Sequence, residues 1–202
     1  MYDDGHGVDQ NYSTAVEWYR KAAEQNHSGA QFNLGHMYKN GWGVEQNDST
    51  AFDWYRKVAE QESAFDAAVA QLHLGKMYEL GLGVAQNYST AVKWYRKVAE
   101  RGYADAEFNL GVMYEKGRGV DKNESTAVEW YRKAAEQGHP SAQLHLGVMY
   151  EKGCGVDKNE SIAVEWYRKV ARKRYADAAA NAQCYLDRLT KSLRKRKKLR
   201  DV

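Results

Sequence analysis

The tetrapeptide Trp-Tyr-Arg-Lys begins at Trp18, Trp54, Trp94, Trp130 and Trp166, at intervals of 36, 40, 36 and 36 residues. A glycine pair and a valine keep the same step: Gly5/Gly7/Val8, Gly41/Gly43/Val44, Gly81/Gly83/Val84, Gly117/Gly119/Val120 and Gly153/Gly155/Val156. A fixed period between about 20 and 50 residues marks a repeat array, in which each unit buries its apolar face only against its neighbours. Such a chain presents a long surface to a partner rather than a pocket to a substrate.

One unit shows what the repeat builds. From Ala106 to Tyr114 the apolar groups fall at i, i+4, i+7 and i+8, which is one face of an α-helix. Gly111 interrupts that face, as do Gly35, Gly75 and Gly147 in their units. A mid-helix glycine costs about 1 kcal/mol against alanine, so its recurrence implies close approach of another helix. Gly117 suits the left-handed position that ends a helix, and Asn123, Ser125 and Thr126 supply oxygens to cap the next one. Ala127, Trp130, Tyr131, Ala134 and Ala135 then repeat the helical spacing. Each unit is therefore an antiparallel pair, helix A then helix B, joined by a glycine loop.

Carried along the chain, this spacing predicts A helices near 29–39, 66–79, 105–115 and 141–151, and B helices near 12–25, 48–61, 88–101, 124–137 and 160–173. The units run near 1–25, 29–61, 66–101, 105–137 and 141–173. A divergent capping helix follows from Ala176, with Gln183 where the mid-helix glycine would stand. The array occupies 1–185 and a basic helical tail 186–202. The long third interval holds four extra residues around Glu62–Phe65, one helical turn, which can lengthen an A helix without rotating its apolar face. Met1-Tyr2 aligns with Met37-Tyr38, so the chain opens at the end of an A helix, as a fragment of a longer array would.

The formal charge of +3 averages two unlike parts. Residues 191–202 carry seven basic groups against Asp201, and the rest holds 23 basic and 26 acidic residues, a net charge of −3. No segment approaches the run of about 18 apolar residues that a membrane span needs. The first residues lack the plan of a secretory signal. Cys154 and Cys184 are too few for a disulfide framework and have no metal-like spacing, which fits reduced thiols in a cytosolic protein.

The pattern Ala-x-x-x-Leu-Gly-x-Met-Tyr-x-x-Gly-x-Gly-Val-x-x-Asn-x-x-x-Ala-x-x-Trp-Tyr-x-Lys-Ala/Val-Ala-Glu closely resembles the Sel1-like repeat, a longer relative of the tetratricopeptide repeat, over roughly residues 1–185. The resemblance implies an all-α, right-handed α-α superhelix, a solenoid of about five helix-turn-helix repeats, and a non-enzymatic adaptor or scaffold that binds other proteins. A cysteine-rich branch of the family, linked to β-lactam binding, has a cysteine pair in each repeat. This chain lacks those pairs, so that activity is not carried over.

Candidate sites divide into groups the repeat explains and groups it does not. The Trp-Tyr stripe reads as core, with Arg and Lys on the solvated side. On that register Trp130→Ala would destabilise the fold by several kcal/mol, on the order of other large-to-alanine core changes. The opposing reading is a base-stacking platform flanked by cations. Asn11, Asn47, Asn87, Asn123 and Asn159 each precede Ser by two residues. Helix capping accounts for all five, and glycosylation, which would place the chain in the lumen of the endoplasmic reticulum, is the alternative. The histidines are expected not to converge: His73 and His145 share a repeat position two units apart, beyond any shared metal. No catalytic, metal-binding or cofactor-binding set emerges.

By the resemblance, helix A lines the concave groove. Its variable positions are Asn33, His73, Asn109 and His145 before Leu-Gly, His36, Lys76, Val112 and Val148 after it, and Asn40, Leu80, Lys116 and Lys152 four further on. These twelve residues are the expected partner-binding set, and Lys116→Glu should leave stability intact. Trp42, between two loop glycines, is a candidate rim anchor, or folds back on the neighbouring repeat. The tail run Arg194, Lys195, Arg196, Lys197 and Lys198 can be a solvated helix end, a nuclear address, or a contact for nucleic acid or an anionic surface. The expected location is cytoplasmic or nuclear. The first choice of function is a protein-binding scaffold, and the second is a nucleic-acid- or nucleus-associated protein acting through the tail.

Overall fold

The structure, a computed structural model, describes residues 11–61, 66–172 and 176–200, with the side chains of the last helix described over 179–191. Every regular element among them is a helix, and the chain divides into two compact units, Met1–Val98 and Ala99–Val202. The first holds α1 (Tyr12–Glu24), α2 (Ser28–Asn40), α3 (Asp48–Glu60), α4 (Ala67–Leu80) and all but the last residue of α5 (Tyr88–Ala99). The second holds α6 (Ala104–Lys116), α7 (Glu124–Glu136), α8 (Pro140–Lys152), α9 (Glu160–Ala171) and α10 (Ala176–Arg200). Even-numbered helices are the A helices and odd-numbered ones the B helices, each within about two residues of the expected bounds.

The A-to-B loops form as their residues require. Gly153 adopts φ +75°, and its N–H donates to the Met149 carbonyl, which closes α8. Asn159 then donates its own N–H to the Tyr150 carbonyl and accepts from the Ile162 N–H at 3.1 Å, which starts α9. The same side-chain cap stands at Asn11, Asn47, Asn87 and Asn123, so capping explains the Asn-x-Ser series. Two A helices use a cap that the spacing did not suggest: Nδ1 of His27 and of His139 accepts from Ala30 and Ala142. Pro140 follows at the first helical position, where its missing N–H costs nothing.

Within each unit consecutive helices pack along their alanine faces. In the second unit Ala127, Val128, Tyr131, Ala134 and Ala135 of α7 meet Ala142, Leu146 and Met149 of α8. The mid-helix glycines admit the tyrosine of the following B helix. A Cβ on Gly111 would lie 2.7 Å from the Tyr131 ring, and the same holds for Gly35 with Tyr55, Gly75 with Tyr95 and Gly147 with Tyr167. Buried glutamines add polar ties back to the preceding B helix: Nε2 of Gln31, Gln71 and Gln143 donates to the carbonyls of Ala23, Ala59 and Ala135.

The tetrapeptide departs from the expected register. Tyr55, Tyr95, Tyr131 and Tyr167 are fully buried, but Trp54, Trp94, Trp130 and Trp166 are only half buried. Trp54 packs on the α1–α2 core, Trp94 on the α3–α4 core and Trp166 on the α7–α8 core. Trp18 is 57% exposed. The lysine three residues on covers the outer face of the indole, at 4.2 Å for Lys57 over Trp54, 4.0 Å for Lys133 over Trp130 and 3.9 Å for Lys169 over Trp166. The core reading therefore belongs to the tyrosines, and Trp54, Trp94 and Trp166 are boundary residues between one repeat and the one before. Arginine is engaged too: Arg20 and Arg132 each donate to the hydroxyl of the next A-helix tyrosine, Tyr38 and Tyr150, at 3.0 Å.

Several expectations fall outside the described residues: the A-helix end at Met1-Tyr2, the Gly5/His6/Gly7/Val8 loop, and the inserted residues Glu62–Phe65. The helix after that insertion, α4, has 14 residues against 13 in α2, α6 and α8. Helix α10 runs unbroken across 185/186, and its Leu186 and Leu189 are buried against α9.

Candidate functional site

The polar chemistry of the A helices gathers where each buried tyrosine ends. Tyr95 donates its hydroxyl to Glu79 at 2.8 Å, Tyr131 to Glu115, and Tyr167 to Glu151 at 2.8 Å. Each carboxylate has a second partner: Lys76 Nζ lies 3.0 Å from Glu79, His145 Nδ1 lies 3.4 Å from Glu115, and Arg188 pairs with Glu151. The His145 imidazole, together with the Tyr131 hydroxyl, outweighs burial and holds the Glu115 carboxyl down at about 2. Burial pushes the Tyr95, Tyr131 and Tyr167 phenols far up, and the adjacent carboxylates add to it, so all three stay protonated donors.

The Tyr55 hydroxyl is different. It is buried and has no hydrogen-bond partner, and the repeat position of Glu79, Glu115 and Glu151 is occupied by Lys39. Aromatic rings surround it. His73 stacks on Tyr55 with centroids 4.7 Å apart and planes at 12°, and His36 meets it edge-on at 5.8 Å. His36 and His73, on α2 and α4, are themselves 5.1 Å apart. The expectation that the histidines do not converge is thus corrected: spacing was compared at one repeat position only, and this pair occupies two different positions in successive A helices. Burial, followed by the nearby Lys39 charge, lowers the pKa of both, His73 to about 4. At neutral pH the pair is uncharged. Among the described residues no group of three or more His, Cys, Asp and Glu could hold a metal ion.

The other expected positions scatter in character. Asn40, Leu80, Lys116 and Lys152 are exposed at the ends of their helices, Leu80 by 51%. Asn40 donates to the His36 carbonyl, and Lys76 is taken up by Glu79. Asn33 and Asn109 are half buried. Val112 and Val148 pack against the α7–α8 and α9–α10 cores, so they serve the fold at least as much as a surface. Trp42 stacks on Tyr12 of the preceding repeat at 5.7 Å while staying 45% exposed. The tail residues Arg194, Lys195, Arg196, Lys197 and Lys198 belong to α10, but their side chains lie outside the described ones. No helix of the described residues is long and apolar enough to cross a membrane. Sequence reasoning missed the tyrosine–glutamate pairs and the Tyr55 exception. The signal was present, since Lys39 stands in register with three glutamates, but nothing in the spacing said what those glutamates touched.

The comparisons agree with this geometry. The Sel1 repeat family matches at residues 1–27, 28–63, 68–103, 104–139 and 140–175. A Sel1 repeat protein from Oxalobacter formigenes superposes with TM-score 0.81 at 39% identity, over 92% of this chain and 70% of that one. The protective antigen c5321 of uropathogenic Escherichia coli, described as displaying an SLR fold, gives TM-score 0.81 at 38% identity, over 88% of this chain. This chain spans 37% of that antigen's length. A Klebsiella pneumoniae protein described as a sel1 repeat protein shares the fold at 18% identity, with TM-score 0.53 over 87% of this chain and 83% of that one. No curated protein matches the sequence. Five family matches in succession, on helix pairs with the spacing and packing described above, make this chain a member of the Sel1 repeat family.

Proposed function

We propose that the chain is a non-enzymatic adaptor that binds partner proteins through the exposed ends of its A helices and holds them in an assembly. Sel1 repeat proteins generally act in protein–protein interaction. The observation that carries the reading here is a division of labour within each repeat. Tyrosine, arginine, glutamine and the capping asparagine are spent on packing, whereas the position of Asn40, Leu80, Lys116 and Lys152 carries three residue types in four repeats and stands exposed. Many modest contacts spread over several repeats make up the affinity, so no single side chain dominates. Free Cys154 and Cys184 fit a reducing compartment such as the cytoplasm.

The test is affinity capture with the intact chain, a chain lacking residues 191–202, and the double variant Leu80→Glu/Lys116→Glu, each at physiological and at high salt. A discrete set of proteins, kept without the tail and at high salt but lost with the double variant, supports the adaptor reading. Capture that disappears with the tail or with salt instead makes the basic end of α10 the functional part.

A further inference from the structure

We propose that Tyr55, His73 and Lys39 form a receptor for one carboxylate, a glutamate side chain of a partner protein, in the place that Glu115 fills beside Tyr131 and His145. The observation is a substitution inside the repeat. Tyr95, Tyr131 and Tyr167 each donate to a glutamate on the preceding A helix. Tyr55 is as deeply buried as they are, its hydroxyl has no partner, and Lys39 occupies the glutamate's position. A buried donor left unpaired is costly, and the group it lacks is defined by the other three repeats.

The surroundings match that group. His73 and His145 share a repeat position, and His145 points Nδ1 at Glu115 from 3.4 Å. The two sites differ in ring tilt: His73 lies flat on Tyr55, at 12°, whereas His145 is inclined at 40° to Tyr131. Admitting a carboxylate turns His73 toward the inclination of His145, between the hydroxyl and the acid. In the filled site the Tyr131 hydroxyl and the His145 imidazole converge on one oxygen, Oε2 of Glu115, and the Tyr55 hydroxyl and the His73 imidazole offer a carboxylate oxygen the same two groups. Lys39 reverses the charge of the glutamate's position, which is cationic here and anionic in the other three repeats. Phe32 closes the apolar side, 4.8 Å from His36 and 6.0 Å from His73.

This assignment rests on the partner-binding reading above but is tested without any partner, so failure of one leaves the other standing. The full chain is titrated with N-acetyl-glutamic acid amide, N-acetyl-glutamine amide and inorganic phosphate at constant ionic strength, following the Tyr55 and His73 ring resonances and the melting temperature. The expected result is saturable shifts at both rings and a raised Tm with the glutamate compound, at concentrations on the order of millimolar. The glutamine compound should give neither. Lys39→Glu restores the acid of the other repeats, so it should raise Tm and abolish the response. Tyr55→Phe removes a buried donor that bonds to nothing, so it should raise Tm and also abolish the response, whereas Tyr131→Phe should lower Tm. Equal shifts with phosphate, no shift with the glutamate compound, or an undiminished response in Lys39→Glu would each overturn the assignment.

Discussion

At the scale of the residue, the repeat is a set of paired choices on facing helices. Gly111 and Tyr131 are one such choice, and propensity and packing pull it in opposite directions. Alanine would favour α6 by about 1 kcal/mol, yet its Cβ would sit 2.7 Å from ring carbons of a side chain with no room to retreat. Gly111→Ala should therefore destabilise by about 1–3 kcal/mol, as overpacking does, read as a lower urea midpoint at unchanged slope. A rise in the midpoint would mean that the ring moves freely. Glu115 is a second choice. Its carboxyl titrates near 2, below its ordinary 4.5, so its charge stabilises the fold fully above about pH 4.5, and this contribution is lost as pH falls toward 2. Glu115→Gln should be less stable than the parent at pH 5–7, and the gap should close by about pH 2. The glycine was legible from its period, because only close approach explains a costly residue kept at one position. The tyrosine–glutamate pair was not, since a side chain on one helix says nothing of the end of another until the helices are packed.

At the scale of the element, the sequence was read well because helix boundaries are local chemistry. Asn123 and Gly117 each act within a few residues of themselves, so they predict starts and stops without knowledge of the tertiary structure. Which face is buried depends on the neighbour, and there the reading failed for tryptophan. A stripe at helical spacing does not distinguish the centre of a face from its edge, and Trp130 is at the edge with Lys133 over it. Exchange of Asn123 for Ala should cost about 0.5–2 kcal/mol, since only the side-chain oxygen relieves the Thr126 N–H. Thermal melts of the two proteins measure it, and equal Tm values would show that water serves the helix start as well.

At the scale of the whole molecule, each unit is held by neighbour-to-neighbour contacts, so damage should spread outward from where it is made. Tyr131→Ala should strip hydrogen-exchange protection from α6, α7 and α8 before it touches α1 and α2. Uniform loss along the chain would instead reveal a single cooperative body. Partner choice, by contrast, was hardly legible, because it rests on exposed positions whose meaning depends on a second molecule, and on Lys39, which matters only beside Tyr55. The five capping asparagines bear on how the protein ages. Each stands exposed and uses its side-chain oxygen, not its amide nitrogen, to cap the helix. Conversion of such an asparagine to aspartate keeps the capping oxygen and places a negative charge at a helix N-terminus, where it is favourable, whereas isoaspartate would lengthen the backbone at the cap. At these five positions an Asn→Asp exchange therefore changes the charge of the helix start and leaves its hydrogen bond in place.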